Sequence, residues 1–415
     1  MKAIRVMTKT LFFVFLVCFI LLFSLMFYLR QNLSDNYKIP RGKELEINAI
    51  VPVTATFEGV QSSRSLLQSE VGETFPVDLK LFGTIPLSTV QVEIIDEMYV
   101  AVLGHPFGMK LYTDGVLVID TSAVDGSDGS VNPSEKAGLK KGDYILSADG
   151  VQITCNEDLS ELVSASSGET IRLDIIRNGK KKTLRINAVY SSESEGYRLG
   201  VWVRDSSAGI GTLTFYSPST EVLCGLGHGI CDEDTGSLMS LDSGEMVSAK
   251  IVSAQVGKKG SPGELKGSFT YEALADIELN AENGVYGILK GNIDLSNLTE
   301  VALKQEIEDG EAQILCTVDG EEPQLYACTV QKRNSGLYAA TQNLTVKITD
   351  PDLIAKTGGI VQGMSGSPIL QNGRLIGAIT HVLVDDPTTG YAIFAENMLE
   401  TAQTVANENK LKDAS

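Results

Sequence analysis

The chain has 415 residues, with 34 Lys+Arg against 53 Asp+Glu and a formal net charge of −19. At 43% hydrophobic residues it is too apolar for wholesale disorder, and its length allows two or three packed units at roughly 150 residues each. The acidity excludes a phosphate-backbone ligand, so no nucleic-acid partner is expected, and three histidines (His105, His228, His381) nearly exclude a His-rich metal site.

The N-terminus departs from this acidity. Lys2, Arg5, Lys9 and Arg30 stand among the first thirty residues without a single acid. Between them runs LFFVFLVCFILLFSLMFYL, Leu11 to Leu29. At about 1.5 Å per residue it nearly spans a hydrocarbon core of roughly 30 Å. The flanking Lys2, Arg5 and Lys9 place the N-terminus in the cytoplasm. No small-x-small cleavage site follows, so an uncleaved anchor is expected, with the rest of the chain outside the cytoplasm. Cys155, Cys224, Cys231, Cys316 and Cys328 lack CxxC spacing and read as structural thiols. Cys316 and Cys328 can face each other across a turn near Asp319-Gly320.

After a polar linker, alternating segments such as VDLKLFG and STVQVEII predict short strands between Ile47 and Val102. DTSAVDGSDGSVNP, Asp120 to Pro133, predicts a loop. Then GDYILSADG predicts a strand and turn, and Asn156 is a candidate N-cap for a helix carrying Leu159, Leu162 and Val163. IRLDII and TLRINAV flank Asn178-Gly179, a hairpin signal. Beyond Leu199 short strands alternate with glycine turns until a helix signal at Ala395, which predicts an all-β barrel or pair of barrels.

Gly138-Leu139-Lys140-Lys141-Gly142-Asp143 with Asp149-Gly150-Val151 resembles a PDZ domain of the bacterial protease type, over about Val92 to Val189. That resemblance places the carboxylate-binding loop at Gly108, Met109, Lys110 and Leu111. A peptide ligand would add there as an extra strand.

The chemistry concentrates in Gly363-Met364-Ser365-Gly366-Ser367-Pro368. A serine between glycines can sit on a tight turn with its hydroxyl exposed, while the Gly363 and Ser365 amides converge as an oxyanion hole. A structural Gly-Ser-Gly turn is the competing reading. His228, in Gly225-Leu226-Gly227-His228-Gly229, is the one histidine in a glycine setting and the candidate general base. Asp232-Glu233-Asp234 reads as a solvated loop, and His105 as structural.

These motifs are similar to those of chymotrypsin-like serine peptidases. With GVWVRDSSAGIGTLTF, Gly200 to Phe215, LGHG, and TGGIVQGMSGSP, the chain resembles the stage IV sporulation B peptidase family almost throughout. The resemblance implies Ser365 as nucleophile, His228 as base and Asp350 as third member, and it places Thr380 and His381 along the substrate cleft. The spacing of ordinary chymotrypsin-like enzymes favours Asp276 instead, and Asp350 also reads as a helix N-cap before Pro351. It further implies self-cleavage between Gln31 and Thr74. The implied substrate is a membrane-bound regulator of an intramembrane protease, cleaved between mother cell and forespore, upstream of a late sigma factor. No cofactor or metal is expected.

The expected fold is mainly β. It comprises a cytoplasmic tip and anchor (1–30), a linker and β-rich segment (31–91), a PDZ domain (92–190) and a chymotrypsin-like double β-barrel (191–408). The alternatives are a non-catalytic PDZ scaffold and a general envelope quality-control protease. In the latter type the PDZ domain usually follows the peptidase, which counts against it.

Overall fold

The computed structural model describes residues 2–45, 47, 50–57, 70–127, 129–333 and 340–413. The chain divides into two compact units, residues 1–98 with 300–308, and residues 99–299 with 309–415.

The first unit begins with helix α1 (Lys2–Asn32), within which Lys9–Arg30 is long and apolar enough to cross a membrane. Strands β1 (Asn36–Pro40), β2 (Val53–Phe57), β3 (Thr74–Leu81) and β4 (Ile85–Ile95) form one sheet in the order β1-β4-β3-β2. The period-2 pattern explains it: Val77, Leu79 and Leu81 of β3 and Val90, Val92 and Ile94 of β4 all turn to one buried face. The PDZ boundary expected at Val92 falls inside β4. The expected self-cleavage window lies partly outside the described residues.

The second unit holds the PDZ module and both barrels. Strand β5 (Pro106–Thr121) is followed by helix α2 (Pro133–Ala137), strand β6 (Tyr144–Ala148), helix α3 (Asn156–Ala165), strand β7 (Thr170–Arg177) and strand β8 (Lys180–Asn187). Asn178 and Gly179 both take positive φ, +51° and +70°, as the β7–β8 hairpin requires. The α3 cap differs from expectation. Asn156 is the first helical residue, and the Asp158 carboxylate accepts from Thr154 N and Cys155 N at 2.8 and 3.2 Å.

Strand β9 (Val201–Ser217) leads into β10 (Val222–Gly225), β11 (Ser243–Gln255), β12 (Glu264–Ala281) and β13 (Gly284–Leu289). The pairings run β5-β11-β12-β13-β10-β9 and return from β9 to β5, so the first barrel is closed. The second is the closed barrel of β14 (Gly310–Cys316), β15 (Gln324–Lys332), β16 (Leu344–Ile348), β19 (Asp386–Phe394), β18 (Arg374–Leu383) and β17 (Pro368–Gln371), in that order. Helices α4 (Pro351–Thr357) and α5 (Ala395–Asp413) complete it.

The expected boundary at residue 190 does not separate PDZ module from peptidase, because β5 and β9 are each shared. Residues 106–112 of β5 are a stave of the first barrel, while Val116 and Leu117 pair with β6 inside the PDZ module. Conversely, Val201–Arg204 of β9 pair with Leu117–Thr121, and Val201 and Val203 pack on the PDZ core. Gly115 makes the passage possible: at φ +81° a Cβ there would lie 2.4 Å from the Ile145 carbonyl oxygen. Cys316 stands opposite Gln324 and Cys328 opposite Ala312, so the two thiols do not face each other, and both are free.

The PDZ module contains a buried ion pair. The Asp143 side chain is 1% exposed; Arg177 donates to it from Nε at 2.6 Å and from Nη2 at 2.5 Å. Removing one partner strands the other charge away from water. Arg177→Ala should therefore cost about 3–5 kcal/mol in denaturant unfolding, whereas Arg172→Ala, at an exposed pair, should change little.

Candidate active site

The site lies where β9 of the first barrel meets the loop between α4 and β17 of the second. Thr212 N donates to the Ser365 carbonyl at 2.9 Å. Thr212 Oγ1 donates to the Gly363 carbonyl at 2.9 Å and Thr214 Oγ1 to the Gly366 carbonyl at 2.7 Å. Residues two apart on a strand share a face, so one strand grips the turn at both ends. Gly366, at φ +93°, admits this contact: a Cβ would sit 2.0 Å from the Thr212 carbonyl oxygen and 2.5 Å from Leu226 N.

The turn spends some amides and leaves others. Met364 N donates to Val361 O, Gly366 N to Ile379 O, and Ser367 N to Met364 O. Among the described residues, the amides of Gly363 and Ser365 donate to nothing, and both residues line a cavity of about 1060 Å³. Two unspent amides flanking a serine hydroxyl are what an oxyanion hole requires. Ser365 Oγ itself donates to the Thr380 carbonyl at 3.0 Å.

His228 and His381 line the same cavity, their ring centroids 5.1 Å apart and tilted by 35°. His228 Nδ1 lies 2.9 Å from the Gly229 carbonyl oxygen. A carbonyl only accepts, so Nδ1 carries the proton and Nε2 presents a lone pair. Burial lowers the His228 pKa below its ordinary 6.5, and the Gly229 carbonyl opposes this. His381 falls to about 4, from burial first and then the neighbouring His228. The glycines around His228 serve close packing rather than ring freedom: a Cβ at Gly229 would stand 2.2 Å from Leu238 Cδ1.

The structure brings Ser365, His228, Gly363 and His381 together; the other expected residues lie elsewhere. Thr380 is 1% exposed, with Oγ1 donating to Thr341 O at 2.9 Å, so only its carbonyl reaches the site. Asp350 caps α4 and makes no contact with His228. Asp276 pairs with Lys290 at 2.6 Å on an exposed strand. Gly108–Leu111 form no open groove, because β9 pairs with one edge and β11 with the other. Asp232 is buried rather than solvated; it and Asp234 bind Arg204, tying the chain after His228 back to β9. Sequence reading missed Thr212 and Thr214. Their signal was the alternation in Gly211-Thr212-Leu213-Thr214, polar residues on the buried side of a strand.

The family described as SpoIVB peptidase S55 matches residues 195–399, and a PDZ domain matches residues 103–188. The chain belongs to the SpoIVB peptidase S55 family. A probable periplasmic serine endoprotease DegP-like of Pseudomonas putida (strain GB-1) is 40% identical over 91 residues, 18% of this chain and 19% of that protein. Zinc metalloprotease RasP of Shouchella clausii (strain KSM-K16) is 30% identical over 145 residues, 33% of each chain. The chain thus spans between a fifth and a third of these curated relatives. Among solved structures, the inactive form of Rv3671c from M. tuberculosis H37Rv has 12% identity and a TM-score of 0.26, covering 48% of this chain and 82% of that one. Serine protease AL20 from an extremophilic microorganism has 10% identity and a TM-score of 0.30, covering 48% and 92%.

Two outcomes follow for an S55 peptidase built this way. Gly366→Ala should lose hydrolysis and melt earlier, whereas Gly291→Ala, with nothing within 4 Å of the added carbon, should change neither. A base must be unprotonated, and burial makes His228 release its proton more readily. The acid limb of the pH–rate profile should therefore fall below pH 6.5; a limb above it would contradict the assignment.

Proposed function

We propose that the protein is a membrane-anchored serine endopeptidase. The observation that carries the reading is the pair of unspent amides, Gly363 and Ser365, beside the Ser365 hydroxyl in the His228 cavity. Ser365 Oγ rotates from the Thr380 carbonyl and attacks the substrate carbonyl carbon, while His228 Nε2 takes the hydroxyl proton. The two amides hold the oxyanion as the C–O bond forms. The intermediate collapses with rupture of the C–N bond, and His228 returns the proton to the leaving amine. Water, deprotonated by His228, then resolves the acyl-enzyme and restores the Ser365 hydroxyl. His381 lines the wall along which the peptide lies.

The family supports a finer reading. The substrate is a regulatory membrane protein controlling an intramembrane protease in sporulation, cleaved in the space between forespore and mother cell, and the enzyme also cuts its own N-terminal segment. Helix α1 is the anchor, with its basic end in the cytoplasm. A PDZ ligand peptide adds not at Gly108–Leu111 but along Val201–Arg204, which among the described residues pairs with β5 alone, next to Asp205, whose Oδ2 accepts from Asn156 N of α3 at 3.0 Å.

The test is hydrolysis of casein by the full chain in detergent. Ser365→Ala and His228→Ala should each lower the rate by about three orders of magnitude or more while leaving the melting temperature intact. Parent-like cleavage by Ser365→Ala would end the proposal.

A further inference from the structure

We propose that Arg204 is a positioning residue for the general base: from strand β9 it fixes, through the buried Asp232, the loop that leaves His228. The proposal rests on the reading of His228 as the base of a serine peptidase and names what holds that residue in place.

Asp232 follows His228 in the loop Gly229-Ile230-Cys231-Asp232, and its side chain is 0% exposed. Its Oδ1 accepts from Asp234 N at 3.1 Å and from Thr235 N at 2.8 Å, which closes the loop tip on itself. Its Oδ2 is left for Arg204, whose Nη1 donates to it while Nη2 donates to Asp234 Oδ2 at 2.8 Å. Burial opposes the Asp232 charge, yet Thr235 and the Arg204 guanidinium outweigh it and hold the carboxyl below its ordinary range. A carboxylate this deep is costly without its cation, so the pair sets where the loop lies.

The loop has little freedom between that pair and the base. Ile230 and Met239 close its neck, with Met239 N donating to Ile230 O at 3.0 Å. The Asn280 side chain accepts from Ile230 N at 2.8 Å and donates to Ile230 O at 3.0 Å and Met239 O at 2.9 Å. Leu238 then lies against Gly229, where an added Cβ would meet its Cδ1 at 2.2 Å. A shift of the loop therefore presses on the residue next to the base.

Arg204 is itself fixed from behind. It pairs with Leu117 of β5. The next residue, Asp205, accepts with Oδ2 from Asn156 N at 3.0 Å, at the start of α3, and with its carbonyl from Thr113 Oγ1 at 3.2 Å. The guanidinium thus reaches the loop from a strand pinned to both β5 and α3, and it lines the cavity that contains His228 and Ser365.

Casein hydrolysis by the full chain in detergent separates positioning from simple stabilisation. Arg204→Met strands a buried carboxylate and should melt earlier and lose kcat. Arg204→Met combined with Asp232→Asn removes both charges, keeps an acceptor for the Thr235 amide and should melt near the parent. Its kcat should still stand at least about tenfold below the parent, with KM within about twofold, because a misplaced base costs rate and not affinity. Recovery of kcat together with the melting temperature would show that the pair only stabilises the fold, and would overturn the proposal. A raised KM at unchanged kcat would make Arg204 a substrate contact and overturn it too. If the parent hydrolyses nothing, the peptidase reading fails, and NMR in the Ser365→Ala chain decides the placement of His228. There the paired substitution should shift or broaden the His228 ring resonances and leave those of His105 in place. His228 resonances that stay put, or that move only together with those of His105, would contradict the proposal.

Discussion

The grip of strand β9 on the nucleophile turn is the contact on which the rest of the molecule depends. Three hydrogen bonds, two from threonine hydroxyls and one from a backbone amide, hold the turn of the second barrel against a stave of the first. They pass through a gap that a single methyl group at Gly366 would close. The peptide units carrying the Gly363 and Ser365 amides are held through their carbonyls, Gln362 O by Leu265 N and Met364 O by Ser367 N, while the amides stay unspent. The proposed oxyanion hole is thus a by-product of how the turn is held, and needs no strain beyond the positive φ that glycine supplies.

Electrostatics at the site favour neutral groups. Both imidazoles are pushed toward the uncharged form by burial, and His381 also by the neighbouring His228. A neutral, oriented imidazole is a competent base before substrate arrives. In the proposed mechanism the transient imidazolium is stabilised by the Gly229 carbonyl and the developing oxyanion. The Asp350 charge, by contrast, is committed about one short helix away, to backbone amides. The same strand that fixes the turn also continues into the PDZ module through Val201 and Val203. The proposed site of peptide addition and the Ser365 turn therefore share one element of backbone.

Much of this was legible in the sequence. Turn chemistry is local, so the Asn178-Gly179 hairpin, the glycine-flanked Ser365 and the final helix from Ala395 could be read directly. Short strands between glycine turns indicated one β-barrel or two, and the family resemblance implied two. Pairing partners are not local. Nothing in Phe107–Leu111 announces that both edges are covered, because β9 and β11 come from far along the chain. The family resemblance placed Thr380 along the cleft, yet a bulge between Ile379 and His381 disturbs the alternation, and the Thr380 side chain is buried. Asp350 carried two signals at once, a family position and an N-cap before proline. Sequence spacing cannot choose between them; in the structure the carboxylate caps α4.

The central claim is that Ser365, the two amides and His228 form one reacting centre. The most direct measurement is a crystal structure of the full chain after reaction with a peptidyl phosphonate. The account predicts phosphorus bonded to Ser365 Oγ, with a phosphoryl oxygen within about 3 Å of Gly363 N and Ser365 N and His228 Nε2 beside the leaving-group oxygen. Phosphorus on another residue, or a phosphoryl oxygen turned away from both amides, would contradict it.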